Sequence, residues 1–99
     1  MRIDLSHEAR GDIDSAIDWY LEKQAFTAAD DFADEIDRAL SLLAQYPVMG
    51  KTGRNTTRIR VLQDFPYSMI YRVMQDHVRI IAVAHHSRRP GYWRGRGRR

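Results

Sequence analysis

Phe65-Pro66-Tyr67-Ser68-Met69-Ile70-Tyr71-Arg72-Val73 is followed, after the short turn Met74-Gln75-Asp76-His77, by Val78-Arg79-Ile80-Ile81-Ala82-Val83-Ala84. The first run is rich in aromatic and β-branched residues, and Pro66 fits a strand start or edge. The second is nearly all apolar, which predicts a strand covered on both faces and therefore central in a sheet. Together they predict a β-hairpin. Just upstream, Arg58-Ile59-Arg60-Val61-Leu62 alternates polar and apolar residues and predicts a further strand.

The first half of the chain has a different period. Arg2-Ile3-Asp4-Leu5 alternates as a short half-buried strand does. Ser6 then offers an N-cap, with Glu8 in the first helical turn. Ala9, Ile13, Ala16, Ile17 and Tyr20 line one face of a helix predicted over about residues 7–23, despite Gly11 in its interior. Thr27 is the expected cap of a second helix, whose apolar face is Ala29, Phe32, Ala33, Ile36, Ala39, Leu40 and Leu43. The helix runs to Tyr46 and stops at Pro47. The expectation is α+β, in the order β-α-α-β-β-β, with an N-terminal helical hairpin packed on an antiparallel sheet. Tyr20, Phe32, Ile36, Leu40, Leu43, Tyr71, Ile80 and Val83 are the expected core.

Ninety-nine residues suit one domain. We expect it to span residues 1–94, with 95–99 a basic, frayed tail. With 43% hydrophobic and 29% charged residues the composition is that of a globular protein. No apolar run approaches the roughly 20 residues of a membrane span. The start MRIDLSHEAR has no apolar core of the secretory kind, and cysteine is absent, so a cytoplasmic protein without disulfides is expected. No cofactor or metal site is expected. His85 and His86 are adjacent, so on a strand they face opposite ways and cannot share one ion.

Charge is divided unevenly. Residues 1–50 hold four basic and eleven acidic residues, a net of −7, and residues 51–99 hold twelve basic and two acidic, a net of +10. Such asymmetry points to a nucleic-acid surface or an acidic partner. Its sharpest expression follows the apolar strand, where His85, Arg88, Arg89, Tyr92 and Trp93 crowd together. Cations interleaved with aromatics can hold phosphate and stack bases, or grip an acidic protein. Packing of Tyr92 and Trp93 over the sheet is the plainer reading.

Two of these stretches resemble the RelE/ParE toxin superfamily. Phe65 to Val73 is similar to its FPY-x-I/M-x-Y-x-V strand, and Ala82 to Trp93 to its closing AV-x-H-x-x-R-x-P-x-x-W segment. The likeness covers residues 3–94. It implies the toxin of a type II toxin–antitoxin pair (a plasmid stabilisation protein), neutralised by a ParD-like antitoxin in a heterotetramer or larger assembly. The superfamily divides into RelE-like members, which cut messenger RNA on the ribosome, and ParE-like members, which poison DNA gyrase. A nuclease would draw on His85, His86, Arg79 and Tyr92 for proton transfer and phosphate binding. However, RelE-like nucleases usually carry arginine where Ser68 stands here, and their lysine-rich helical surface is reduced to Lys23 and Lys51. The resemblance therefore favours the gyrase branch, in which no residue is catalytic, with the RelE-like nuclease as the alternative. Arg88, Arg89, Tyr92 and Trp93 would then form the target-binding surface and Trp19 part of the antitoxin-binding one. Sequence-specific DNA binding by this chain itself is not expected.

Overall fold

A computed structural model of the chain describes residues 1–53 and 55–96. The elements are β1 (Arg2–Leu5), α1 (His7–Glu22), α2 (Phe26–Gln45), β2 (Lys51–Thr52), β3 (Arg58–Val61), β4 (Tyr67–Val73) and β5 (His77–His85). One five-stranded sheet has the order β1-β5-β4-β3-β2. The α1–α2 hairpin covers one face of it. The helix-side core joins Phe32, Ile36 and Leu43 to Met69, Tyr71, Ile80 and Val83, with Tyr20 and Leu40 packed against it.

Ser6 starts α1 as its sequence position suggests. Its hydroxyl accepts from the Ala9 amide, a bond of about 1 kcal/mol in such caps. The same residue ties the helix to the sheet. Its amide donates to the Ile80 carbonyl and its hydroxyl to the Ile81 carbonyl. β1 runs alongside β5 in the same direction, and the two pair in parallel, Ile3 beside Val78 and Leu5 beside Ile80. The sheet is therefore mixed rather than wholly antiparallel. A four-residue alternating run carries no information about strand direction, so its polarity had to come from what Ser6 contacts.

Two further details differ from expectation. Thr27 does not cap α2: the helix begins two residues earlier than that cap would place it, at Phe26, with Ala25 in the cap position and no side-chain cap bond. The interhelix turn supplies the stop instead, with Gln24 at φ 57° and the Ala25 amide donating to Tyr20 O. The other addition is β2, which pairs antiparallel with β3 (Lys51 beside Ile59). Gly50, just before it, donates its amide to the Tyr71 hydroxyl, and a Cβ there would lie 2.6 Å from that oxygen. The close approach admits only glycine.

β4 and β5 pair antiparallel, with one irregularity. Ile70 faces Ala82 while Tyr71 faces Ile80, leaving Ile81 as the extra residue of a bulge. Val78, Ile80 and Val83 therefore belong to the helix-side core, whereas Ile81 and Ala82 join Ile70 and Trp93 on the opposite face. The nearly continuous apolar run thus feeds two cores, and a bulge, not simple alternation, divides it between them.

Candidate functional site

β5 outruns its neighbour. β1 pairs no further than Leu5 beside Ile80, so the outer edge of β5 beyond that point lacks a strand partner. Asp12 of α1 reaches down to it and accepts the Val83 amide at 3.0 Å. The same carboxylate takes the Arg96 guanidinium at 2.7 Å, with both side chains largely shielded at 17% and 21% exposure. A side chain caps this edge where a strand would otherwise pair. Arg96, expected in a frayed tail with Gly95, is instead held by this ion pair. Residues 97–99 of that tail lie outside the described residues.

Between His85 and Arg96 the chain doubles back through a series of turns, with amide bonds from Arg88 to His85 O and from Tyr92 to Arg89 O. Gly91 takes φ +76°, open to glycine at no steric cost. The result lays Trp93 on the sheet face opposite the helices. It is 8% exposed and packed with Ile70, Ile81 and Ala82. Among the residues expected to form a target surface, Trp93 is thus a packing residue, and Tyr92 is half-buried beside it. Burial, then the nearby Asp12 carboxylate, raises the Tyr92 hydroxyl above its ordinary pKa of 10.0. The Arg88 guanidinium lies 4.0 Å from the Tyr92 ring centre, and that of Arg96 lies 5.3 Å away. Arg88 and Arg89 are exposed and have no carboxylate partner among the described residues.

The two adjacent histidines part as strand geometry requires. His85 stays on the helix side, its ring edge-on to Tyr67 at 4.9 Å. Its Nδ1 accepts from the Ser87 amide at 3.0 Å and has the Ser87 hydroxyl at 2.8 Å, so that nitrogen's lone pair is taken up locally. His86 turns to the other side, with Nε2 2.9 Å from the Ser68 hydroxyl. Arg79 lies six residues back along β5, about 20 Å at strand rise, bonded to Asp4 at 3.0 Å. Of the set Arg79, His85, His86 and Tyr92, the last three line one cleft with Arg88 and Arg89, and Arg79 lies apart.

Concave surface gathers at the same end of β5. On the helix side, Trp19, Tyr20, Tyr67 and His85 line a cleft of about 580 Å³. A second, of about 240 Å³, adds Asp12, Val83, Arg88 and Tyr92 to Trp19, Tyr67 and His85. On the opposite face a cleft of about 340 Å³ has Ile59, Ile70 and Trp93 as apolar lining, with Ser68, His86 and Arg88 among its polar groups. Trp19, 53% exposed on α1, leads inward along a series of ring contacts through Tyr20, Phe65, Phe32 and Tyr67 to His85. Burial raises the hydroxyl pKa of Tyr20 and of Tyr67. The structure therefore brings Trp19 close to Arg88 and Tyr92, residues assigned to separate surfaces on sequence. Tyr67, Ser68 and Ala84 were missed as lining residues. Only the Phe65-Pro66-Tyr67 motif hinted at the first.

Comparison with known proteins settles the kinship. The family model described as the ParE toxin of the type II toxin–antitoxin system, parDE, matches residues 3–90. The chain belongs to the ParE toxin family. A Sinorhizobium fredii protein described as "Putative toxin Y4kP" is 42% identical over 67 residues, which is 67% of this chain and 69% of the relative. A chain from the chromosomal ParDE toxin–antitoxin system of P. aeruginosa shares the fold, with a TM-score of 0.74 at 22% identity, covering 86% of this chain and 95% of its own. This ParE-family chain is therefore a type II toxin with the α+β fold, two helices on a mixed sheet. No helix among the described residues is long and apolar enough to cross a membrane.

Proposed function

We propose that this ParE-family toxin arrests growth by poisoning DNA gyrase in the cytoplasm, and that a ParD-like antitoxin silences it in a heterotetramer or larger assembly. The observation that carries the gyrase reading is that the acid–base groups at the end of β5 are engaged by neighbours while Arg79 lies apart. RNA cleavage by attack of a 2′-hydroxyl needs a base, an acid and a phosphate-holding cation at one point. Here His85, His86 and Tyr92 share the far-face cleft with Arg88 and Arg89, but the Nδ1 of His85 is already bonded to Ser87, the Nε2 of His86 lies 2.9 Å from the Ser68 hydroxyl, and Arg79 is tied to Asp4 near the start of β5. What the end of β5 offers instead is a binding surface, with Arg88 and Arg89 unneutralised beside concave apolar ground. The kinship with a chromosomal ParDE system supports an antitoxin partner.

The test is direct. Purified toxin should block gyrase supercoiling of plasmid DNA or trap cleaved DNA, and messages on ribosomes should stay intact. Full supercoiling at excess toxin, together with cut ribosome-bound messages, would replace this reading with the RelE-like one.

A further inference from the structure

We infer that the sheet face opposite the helices is the surface with which this toxin meets duplex DNA, resting on the backbone phosphates of the segment that gyrase holds. The inference rests on the gyrase reading above and adds a second partner, the DNA itself, and the face that meets it. Strand alternation decides which side chains stand on that face. Ile70 belongs to the far-face cluster and Tyr71 and Val73 to the helix-side one, so Arg72 between them projects from the far face. Lys51 stands beside Ile59, which packs on the same far-face cluster. Arg88, Arg89 and Arg94 line the cleft over Ile59 and Ile70. Gly91 makes room for the last of these, since a Cβ there would lie 2.7 Å from the Arg94 Nε. None of the five cations has a carboxylate partner among the described residues. Asp4, a carboxylate on the same face, is bonded to Arg79.

Their spread suits an extended polyanion, not one small anion. Arg72 lies four residues along β4 from Ser68 in the cleft, about 13 Å at strand rise, and Lys51 lies two strands across from β4, roughly 10 Å away. Duplex DNA carries about one charge per 1.7 Å of its axis, so a face of that length meets several phosphates. The helix layer has the opposite sign. Asp14, Asp18, Glu22, Asp30, Asp34 and Asp37 are all exposed on it. DNA therefore attracts one side of the molecule and repels the other, which orients the toxin before contact. An acidic protein surface is the weaker match. Ile70, Ile81, Ala82 and Trp93 are at most 8% exposed, so the apolar centre that a protein interface would bury is already covered by the C-terminal turn. A single strand also fits less well, because it needs open rings on which to stack. Trp93 is buried and Tyr92 is already covered by guanidinium groups.

The test titrates full-length toxin into a fluorescent duplex of about 40 base pairs and reads anisotropy at rising salt. Wild type should bind without sequence preference, its affinity falling steeply between about 50 and 200 mM salt. Lys51→Ala, Arg89→Ala and Arg94→Ala should each weaken binding about threefold to tenfold and lower the log–log salt slope by about one. Arg10→Ala removes the same charge from the exposed side of α1 and should leave the slope as it is. Thermal melts near that of wild type show that a loss comes from the surface and not from unfolding. The three far-face variants should also inhibit gyrase supercoiling more weakly than wild type, while DNA-free gyrase captures them equally well. An equal loss in Arg10→Ala would reduce the effect to net charge and overturn the face. Lost capture by DNA-free gyrase with duplex binding intact would reassign the face to a protein partner, and equal competition by oligothymidylate would overturn the preference for duplex. Wild-type toxin that inhibits supercoiling yet binds no duplex at about 50 mM salt would overturn the DNA contact and leave the gyrase reading standing. Duplex binding through this face with supercoiling untouched would do the reverse.

Discussion

The two ends of β5 differ in almost every respect. At its start, β1 pairs alongside, Arg79 is neutralised by Asp4, and His77 lies 2.8 Å from Asp76, whose carboxyl is held below its ordinary pKa of 3.8 chiefly by that contact. At its end, β1 has stopped, a single helix carboxylate caps the open edge, and Arg88 and Arg89 stand without carboxylate partners among the described residues, over concave apolar ground. One end is closed by a neighbouring strand, and the other by a single side chain. A sheet strand longer than its neighbour is thus closed by a strand at one end, and by a helix carboxylate and the C-terminal turn at the other.

Breaking this arrangement should cost most at the far end of β5, where the C-terminal turn packs. Trp93→Ala empties an indole site beside Ile70, Ile81 and Ala82 and should lower unfolding stability by about 3–5 kcal/mol, read from urea denaturation. Asp12→Ala strands the Val83 amide and the Arg96 guanidinium together, for an expected loss of about 2 kcal/mol. Asp12→Asn, which keeps an acceptor for Val83, should cost less, and an equal loss would assign the whole effect to charge.

Acid should act away from β5. Burial pushes the Glu35 carboxyl upward, but the Arg38 guanidinium at 2.7 Å and the Gln63 amide override it and hold the pKa below its ordinary 4.5. A lowered folded-state value means the contribution is present above the unfolded pKa and disappears as pH falls through the folded one. Stability should therefore decline below about pH 4.5 in wild type, and Glu35→Gln should flatten that part of the curve. The smallest effect belongs to the closed end of β5. Arg79→Ala removes a partly exposed pair worth about 0–1 kcal/mol, so its melting curve should barely move. A larger loss would mean that the start of β5 depends on this pair as the end depends on Asp12.

Element types were legible in the sequence because they rest on local periodicity. The helical faces from Ala9 to Leu43 and the alternation of Tyr67 to Val73 could be read without knowing what lay beside them. The family motifs were legible too. Other features depended on contacts between residues distant in sequence. The sequence placed Trp19 with one surface and Arg88 with another, and nothing local could have joined them. For Trp93 both packing over the sheet and a place on the target surface could be read, because its cover, the far face of the sheet, exists only once β4 and β5 have paired. Arg96 looked like part of a solvated tail, since its partner Asp12 lies 84 residues away.

The sequence by itself determined the order of helices and strands, the acidic and basic halves, and membership of the toxin family, because each is carried by residue type and short-range spacing. Tertiary structure alone decided the direction of β1, the bulge at Ile81 that shares an apolar run between two cores, and the joining of three clefts at one strand end. Those features are set by which backbone groups remain unpaired once the sheet has formed, and unpaired groups are a property of packing, not of sequence order.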